Sequence, residues 1–453
     1  YGQLDVFGYH LVNLCIHILS ACLVYFLALC IFWHLPGRTA GPHSKQFWPI
    51  LAAGFAAFFF ALHPVQTQAV TYIVQRYTSL SSLFYLAGVL CFILGRKAVH
   101  PNEDRGQRTE DGSSENHRLR PYTDAGDEHS QSYVSSVQPD SGRIIYPEKR
   151  KIGPQARIKA GILFAICCIC GLASFLSKQI AVSLPLTLAL VEYVLFDRSW
   201  DGWRKKLIIV TPLVFAFLVF VLYSAGVLQG DVSLGRLLEE TDQRTRETME
   251  VTRVEYLSTQ FQVVAIYLGI VLWPASLCLD HMYPFVDQVF NVQSLLSLGG
   301  LLLIAGAGFW WRKRFPVFFV GIFWFFIALS VESSLIPISD ALFEHRLYLP
   351  LFGPALMAGW LLAVLFRRWP WPALLGGVLV LGLLSGLTYE RNVVWQSPVD
   401  LWADTVNKAP HNYRAHNNLA ELLADSEESE LEQVKKHYEQ ALELKPDYAD
   451  AHY

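Results

Sequence analysis

Hydrophobic residues in this chain are gathered into long, almost uninterrupted runs, and short polar segments separate one run from the next. Many of the runs approach the roughly 20 residues that an α-helix needs to cross the hydrocarbon core of a bilayer. Apolar runs of this length predict membrane-spanning helices. We therefore predict spans at residues 9–33, 47–62, 78–95, 160–176, 179–196, 206–225, 293–311, 316–333, 350–366 and 370–388.

One further apolar segment, residues 257–273, is short, polar at its start and followed by Pro274. Short cytoplasmic loops carry the excess of Lys and Arg in a membrane protein. The strongly basic loops of this chain share one side only if residues 257–273 do not cross the bilayer. We therefore predict that this segment is re-entrant or interfacial, and that the C-terminal segment lies on the non-cytoplasmic side.

A long polar stretch interrupts the apolar pattern at residues 98–157, which are rich in Ser, Asp, Glu, Arg and Gly. So few apolar residues cannot bury enough surface to offset the entropy of ordering the chain. We expect a disordered cytoplasmic insertion there, within a membrane domain that covers residues 1–396.

The C-terminal residues 397–453 contain an internal repeat. The segment PHNYRAHN that begins at Pro410 recurs as PDYADAHY from Pro446, an offset of 36 residues. A tetratricopeptide repeat has 34 residues and forms a pair of helices. We predict the start of a tetratricopeptide domain, with helices around Leu419 and around Ala441. One repeat cannot bury its own apolar face, and the chain opens on Tyr1 rather than Met, so we expect the sequence to be truncated at both ends.

The overall composition agrees with a membrane protein. Hydrophobic residues make up 53% and charged residues 17% of the 453 positions, whereas about 25% charge is usual in a soluble domain. The formal net charge of −3, without a basic stripe, does not favour nucleic-acid binding. Seven of the eight cysteines lie inside apolar runs, so neither a zinc motif nor a disulfide framework is expected. The fold predicted is all-α, a polytopic membrane helix bundle followed by tetratricopeptide helices.

Polar residues in or beside the first apolar runs are the first candidates for a site. His10 and Asn13 share one face of the first span with His17. These groups either line a substrate cavity or form ordinary hydrogen bonds between helices. The segment HPVQTQAVTYIVQR begins at His63, places Gln68 on one face and ends at Arg76. It predicts an outer-surface amphipathic helix, in which Arg76 either binds a phosphate or extends to the membrane interface.

Further charged residues fall on the same predicted side of the membrane. They are Lys178 at a break between two spans, Asp280 and His281 in LDHMYP, and Asp340, Glu344, His345 and Arg346 in SDALFEHRLYLP. An ionisable residue inside or beside a membrane span indicates a functional site by default, although Lys178 could also be a hydrated turn residue. Arginine binds phosphate oxygens with two parallel donors, while carboxylates accept a proton or hold a divalent cation. Such a cation stays an open option, and no metal ligand is assigned.

The ordered set of motifs GYHLVNLCIH, HPVQTQAVTYIVQR, LSKQIAVSLP, LDHMYP, FEHRLYLP and RNVVWQSPVDLW resembles the transmembrane and tetratricopeptide-repeat O-mannosyltransferase-like proteins and their bacterial relatives. The resemblance covers nearly all of the chain except residues 98–157. It implies a type C glycosyltransferase fold with a polyprenyl- or dolichyl-phosphate sugar as donor and a protein Ser or Thr hydroxyl as acceptor. Gln68 and Gln179 stand where eukaryotic members more often have Glu, so neither is assigned as a base.

The resemblance also implies roles for individual residues. The catalytic acidic residue of the family is expected ahead of Tyr1, so no residue of this chain is assigned as catalytic. Arg346, Arg76 or Lys178 would stabilise the phosphate leaving group, where charge develops in the transition state. His345 and Glu344 would position it or shuttle a proton.

Two other classes of protein fit the same sequence features. One is a lipid-linked polysaccharide polymerase or ligase, and the other is a membrane-anchored scaffold whose repeats bind partner proteins. The predicted outer loops contain no Asn-x-Ser/Thr acceptor site. This absence favours a bacterial inner membrane, with the endoplasmic reticulum as the alternative.

Overall fold

A computed structural model describes residues 7–34, 47–99, 153–197, 202–204, 251–286, 291–333, 337–425 and 431–452, and every regular element among them is helical. The α-helices are α1 (Phe7–His34), α2 (Phe47–Leu62), α3 (Thr67–Thr71), α4 (Arg76–Val99), α5 (Pro154–Ser177), α6 (Leu184–Leu195), α7 (Arg253–Leu272), α8 (Val292–Trp310), α9 (Pro316–Leu329), α10 (Phe352–Arg368), α11 (Pro370–Val394), α12 (Pro398–Lys408), α13 (Tyr413–Ala424) and α14 (Leu431–Leu444).

Among the described residues, six helices are long and apolar enough to cross a membrane. They are α1, α4 with the turn before it, α5, α7, α8 and α11. A seventh span would combine α2 with residues Pro64–Thr71, which continue it after a 50° bend. The prediction of a multi-pass membrane protein is therefore confirmed. The predicted span at 206–225 and most of the predicted insertion lie outside the described residues, although α4 extends to Val99 and α5 begins at Pro154.

The helices present apolar side chains on their outward surfaces. In α8, Leu296 is 72% and Trp310 is 81% exposed, and only Ser294 and Gly308 are buried. Apolar surface on this scale is unfavourable in water but matches the hydrocarbon core of a bilayer. The described helices thus carry the outward apolar surface that a lipid environment requires.

Small residues let neighbouring helices approach closely, as is typical of membrane bundles. In α5 the buried residues Ala160, Cys167 and Ser174 recur every seven positions. Ser174 bonds reciprocally with Ser81 of α4, with each hydroxyl donating to the other residue's carbonyl at 2.8 and 3.0 Å. The α4–α5 pair is therefore packed along a stripe of small residues.

Charged residues mark the two ends of the bundle differently. At one end, Arg96 near the end of α4 donates two hydrogen bonds of 2.7 and 2.6 Å to Glu192 of α6. Arg312, which follows α8, donates to the hydroxyl of Tyr193, the neighbour of Glu192, at 3.3 Å. Arg367 and Arg368 lie in the last turn of α10. We call this the basic end. The opposite end, which we call the polar end, comprises residues 63–76, 178, 277–286, 332 and 340–346, and most of the predicted site residues lie there.

Helix α7 corresponds to the segment predicted not to cross. Its 20 residues are long enough to span a bilayer. Its first turn nevertheless contacts the polar end, because the Tyr256 hydroxyl donates to the Glu332 carbonyl at 2.8 Å. Its last turn also contacts the polar end, where the Val271 carbonyl lies 3.1 Å from His63 Nε2. That residues 257–273 are re-entrant or interfacial and do not cross the membrane stays a prediction.

The segment after α2 differs from the surface amphipathic helix predicted for it. It consists of a 3₁₀ turn at Pro64–Gln66, helix α3 and a second 3₁₀ turn at Ile73–Gln75. Residues Pro64–Ala69 are all buried. The first half is covered because α11 and the segment around Glu344 pack on it. In the second half Tyr72 is 39% and Val74 is 59% exposed.

The C-terminal helices α13 and α14 pack against each other and match the pair predicted around Leu419 and Ala441. His416 Nε2 lies 3.1 Å from the carbonyl of Pro410, six residues earlier. His452 Nε2 makes the same contact with the carbonyl of Pro446 at 2.8 Å. The two copies of the sequence repeat therefore begin with the same local structure. Whether they are tetratricopeptide units stays a prediction.

Candidate functional site

The polar end gathers side chains from segments that are far apart in the sequence. Gln68 follows α2, the 277–286 loop follows α7, and Glu344–Leu347 form a 3₁₀ turn before α10. Glu344, His345 and Arg346 are between 0% and 5% exposed. Buried polar groups in a folded protein are normally hydrogen-bonded, so the partners of these side chains define the site.

Gln68 connects two of these segments. Its Oε1 accepts a hydrogen bond of 2.7 Å from the backbone N–H of His345, and its Nε2 donates to the carbonyl of Leu279 at 2.8 Å. These two backbone partners determine the orientation of the amide. Because Oε1 also lies 3.2 Å from His345 Nδ1, Nδ1 must carry the proton, and Nε2 is the acceptor of the ring.

His345 is held in its neutral form. Burial, followed by the positive charges of Lys178 and Arg346, keeps the pKa of His345 well below the ordinary value of 6.5. A neutral imidazole whose acceptor nitrogen is defined by the opposite hydrogen bond can accept a proton, but a lowered pKa makes it a weak base that is better suited to passing a proton on.

Glu344 connects the same two segments through its carboxylate. Oε1 accepts a hydrogen bond of 2.6 Å from the Cys278 N–H and lies 2.9 Å from His281 Nε2. Burial alone lowers the pKa of His281, but its hydrogen bonds to Cys278 and Glu344 and their negative charges raise that pKa to about 10. In the absence of a metal, His281 and Glu344 therefore form an ion pair at neutral pH.

The same residues could hold a metal ion. Donor atoms of Cys278, His281 and Glu344 lie within 4.8 Å of one another, which makes them a candidate cluster in the described part of the chain. Glu344 Oε2 is buried without a hydrogen-bond partner, so one carboxylate oxygen remains for a metal. A thiolate, an imidazole and a carboxylate suit zinc, whereas magnesium prefers oxygen ligands. The sequence had suggested only a cation held by carboxylates.

The loop that carries His281 has a constrained backbone. Met282 has a φ of 42°, in the left-handed region that few residues other than glycine adopt. The Asp280 carboxylate accepts a hydrogen bond of 3.0 Å from the Met282 N–H and so stabilises this turn. Asp280 thereby helps to direct His281 toward Glu344.

Lys178 pairs with an acidic residue that was not among the predicted site residues. Its Nζ lies 2.6 Å from Glu332 Oε1 and 3.1 Å from Thr78 Oγ1, and both charged side chains are at least 94% buried. Glu332 stands in the sequence as a lone carboxylate near the end of an apolar run. That isolated charge was the signal that could have identified it.

Arg346 uses two of its donors to stabilise the backbone of its own segment. Nη1 donates to the carbonyl of Ala341 at 2.9 Å, and Nη2 donates to the carbonyl of Asp340 at 2.8 Å. Arg346 as a whole residue is 2% exposed. In this arrangement Arg346 positions the 340–346 segment, and its binding to a donor phosphate stays a prediction.

Arg414 of α13 is also absent from the predicted site residues, because the sequence places it in a separate C-terminal domain. Its Nη2 lies 2.6 Å from Asp340 Oδ1 and 2.9 Å from Asp280 Oδ2. The side-chain amide of Asn412 donates to the Asp280 carbonyl at 2.9 Å. The C-terminal helices are thus bonded directly to the polar end, and Arg414 neutralises its two aspartates.

The remaining predicted residues lie around this centre. His63 is buried beside Val271, and it caps the Pro64–Gln66 turn by accepting a hydrogen bond from the Val65 N–H. Arg76 donates to Asn13 Oδ1 at 2.7 Å and to the Tyr9 carbonyl at 3.0 Å. Asn13 therefore contacts Arg76 rather than the Glu344 segment. His10 lies one helical turn from Asn13 and is partly exposed.

Comparison with known proteins gives distant relatives that match the whole chain. The human protein O-mannosyl-transferase TMTC3 is 20% identical over 471 residues, which cover 100% of this chain and 44% of the relative. The Drosophila melanogaster protein O-mannosyl-transferase Tmtc3 is 24% identical and covers 99% of this chain and 47% of the relative. The mouse protein O-mannosyl-transferase TMTC1 gives a shorter match, which is 26% identical and covers 43% of this chain and 22% of the relative.

The chain spans less than half the length of the human and the Drosophila relative. No family model matches the sequence, and no solved structure matches it. At 20–26% identity these similarities establish distant homology. The chain is a multi-helix membrane protein that is distantly homologous, over its whole length, to the protein O-mannosyl-transferases.

Proposed function

We propose that this chain is part of a glycosyltransferase that moves a sugar from a polyprenyl- or dolichyl-phosphate donor to an acceptor hydroxyl on the non-cytoplasmic side of the membrane. The observation that carries the proposal is the buried network of Gln68, His345, Glu344 and His281 at one end of the apolar bundle. Buried ionisable groups in a membrane protein are costly and usually functional. The homology to named O-mannosyl-transferases supplies the reaction class.

The reaction would proceed by attack of the acceptor oxygen on the anomeric carbon of the sugar. The new carbon–oxygen bond forms as the bond from the sugar to the phosphate oxygen breaks, and the phosphate leaves with the electron pair. The hydroxyl proton passes to a base. His345 is suited to relay this proton, because it is neutral, Gln68 leaves its Nε2 as the acceptor, and its lowered pKa favours release of the proton.

Other residues at the polar end would position this histidine. Glu344 and Gln68 each join the 340–346 segment to the 277–286 loop. Arg346 holds the same segment through two backbone carbonyls. Their proposed role is to preorganise the site, which matters because a displacement of about 1 Å can lower a rate by roughly a hundredfold.

The finer assignments follow from the relatives and from the sequence. Mannose is the first donor sugar to test, because the distant relatives are named O-mannosyl-transferases. We place the protein in a bacterial inner membrane with a protein Ser or Thr hydroxyl as acceptor. The C-terminal helices would begin a tetratricopeptide domain that binds partner or acceptor proteins.

Sugar transfer in reconstituted membranes tests the proposal. The full-length natural protein would be assayed with mannosyl phosphoryl polyprenol and an acceptor peptide, comparing wild type with His345→Ala. Lys313→Ala, an exposed residue at the basic end, is the matched control. We expect transfer to fall at least tenfold in His345→Ala, about 1.4 kcal/mol of barrier, and to be unchanged in the control. Absence of transfer from every polyprenyl-phosphate sugar would overturn the proposal.

A further inference from the structure

A cavity of about 210 Å³ lies beside the polar end, outside the network described above. It is formed where the end of α11 meets α12 and the loop after α7, and Arg391, Lys408, Leu277 and Pro64 are among its lining residues. Leu277 adjoins Cys278, whose N–H donates to Glu344. The cavity and the proposed catalytic centre are thus separated by one stretch of backbone.

Arg391 lines this cavity and has an unused donor edge. The residue is 5% exposed, and its Nη1 donates to Asp404 at 2.6 Å. Its Nε and Nη2 are buried and have no hydrogen-bond partner. Leaving buried donors unpaired is unfavourable, and more so when the group is charged. Nε and Nη2 form one edge of the guanidinium, with the geometry that binds two oxygens of a phosphate or carboxylate.

Neighbouring groups favour a ligand at this edge. The indole Nε1 of Trp395, one helical turn beyond Arg391, is also buried without a partner. Lys408 donates to the Leu277 carbonyl at 2.8 Å and pairs with Asp404 at 2.7 Å, so its ammonium group is held at the cavity. Glu390 and Asp404 add negative charges to the lining, so an anion would have to lie against Arg391 and Lys408.

The other arginines considered for phosphate binding lack such an edge. Nη1 and Nη2 of Arg346 each donate to a backbone carbonyl. Nε and Nη2 of Arg76 donate to Asn13 and to the Tyr9 carbonyl. Unlike Arg346 and Arg76, Arg391 therefore has a buried guanidinium beside a cavity, with both Nε and Nη2 unpaired.

The surroundings of the cavity suit a lipid that carries the anion. Helix α11 is one of the apolar helices long enough to span the membrane, and only 17% of its apolar 18-residue stretch is buried. Its residues Leu387 and Val394 line the cavity, and Leu383 is 54% exposed. An acyl or prenyl chain could lie along this helix while its phosphate enters the cavity.

We propose that the Nε/Nη2 edge of Arg391 binds a phosphate group, with Lys408 as the second cation. The phosphate is that of a lipid monophosphate or of free inorganic phosphate. The identification with the leaving phosphate of the glycosyl donor rests on the proposed function, whereas the anion site itself does not.

Binding measurements on the full-length protein test this proposal. The protein would be reconstituted in phosphatidylcholine nanodiscs and titrated with polyprenyl monophosphate and, separately, with inorganic phosphate. Arg391→Lys keeps a cation for Asp404 but loses the two-donor edge, so we expect at least tenfold weaker binding with little change in thermal stability. Arg368→Lys, an exposed arginine at the basic end, is the matched control and should bind as the wild type does.

The two probes distinguish the sources of the phosphate. Tight binding of polyprenyl monophosphate alone would indicate a lipid headgroup site, and equal binding of both would indicate a site for free phosphate. If neither probe binds the wild type, or if neither Arg391→Lys nor Lys408→Gln weakens binding, the anion site is wrong. If the protein transfers sugar but the Arg391 substitution leaves phosphate binding unchanged, this inference alone is wrong. If phosphate binds through Arg391 but no sugar is transferred, only the proposed function is wrong.

Discussion

The guanidinium of Arg414 lies 2.6 Å from the carboxylate of Asp340 and joins the C-terminal helices to the membrane part of the chain. The same nitrogen lies 2.9 Å from Asp280. One cation therefore neutralises two carboxylates from separate loops. We therefore expect a change in the C-terminal helices to affect the loops that carry His281 and Glu344.

We expect Arg414→Ala to destabilise the polar end by about 1–3 kcal/mol, because two partly buried carboxylates would lose a charged hydrogen-bond donor. The measurement is the apparent Tm of the purified protein in detergent. Arg414→Lys retains the charge and should lose less. Equal Tm values for wild type and Arg414→Ala would show that the contact does not hold the two parts together.

Lys178 and Glu332 form a buried pair whose members depend on each other. Lys178→Met should be strongly destabilising, by about 3–5 kcal/mol, because it leaves Glu332 buried without its cation. The double variant Lys178→Met with Glu332→Gln should recover most of the loss. A double-mutant cycle on thermal stability checks this, and additive effects of the two single changes would contradict the pairing.

His345 makes stability depend on pH. Its folded pKa is below 6.5, so the unfolded chain takes up the proton first as the pH falls. The stability contribution is complete above pH 6.5 and is lost as the pH decreases through the lowered pKa. His345→Gln should reduce the decline in Tm between pH 7.5 and pH 5, and parallel curves for the two proteins would contradict this expectation.

Gln68 should determine the charge of His345. In Gln68→Glu a carboxylate replaces the neutral oxygen that lies 3.2 Å from His345 Nδ1. The negative charge raises the pKa of the imidazole, so the acid limb of the pH–activity profile should move to higher pH. Gln68→Leu should instead reduce activity without that displacement. An unchanged profile in Gln68→Glu would rule out coupling between the two side chains.

Gly353 of α10 should not tolerate a side chain. A Cβ atom there would overlap the backbone carbonyl of Gly321 in α9. Because neither backbone can move easily, we expect Gly353→Ala to cost about 1–3 kcal/mol or to prevent folding. Gly382→Ala in α11 is the matched control, since a Cβ there meets nothing within 4 Å. Comparable folded yields of the two variants would contradict this packing.

Much of the architecture follows from the sequence alone. Apolar runs determine membrane helices wherever they occur, because a helix satisfies its own backbone hydrogen bonds in lipid. The helix pair at the C-terminus follows equally from local periodicity and from the repeat at Pro410 and Pro446. The sequence also shows which polar residues lie near the ends of the apolar runs. Their positions identify Glu344, His345 and Lys178 as candidate site residues.

Only the tertiary structure decides which of these polar residues meet. Gln68 and His345 are 277 positions apart, and no local pattern predicts their hydrogen bond. The segment after His63 has the periodicity of a surface helix, yet its first half is buried and the helix is broken, because α11 and the segment around Glu344 pack on it. Arg414 and Arg391 differ for the same reason. Packing pairs the guanidinium of Arg414 with two carboxylates, whereas it leaves one edge of the Arg391 guanidinium unpaired. The hydrogen bonds available to a buried charge depend on neighbours that local sequence does not specify.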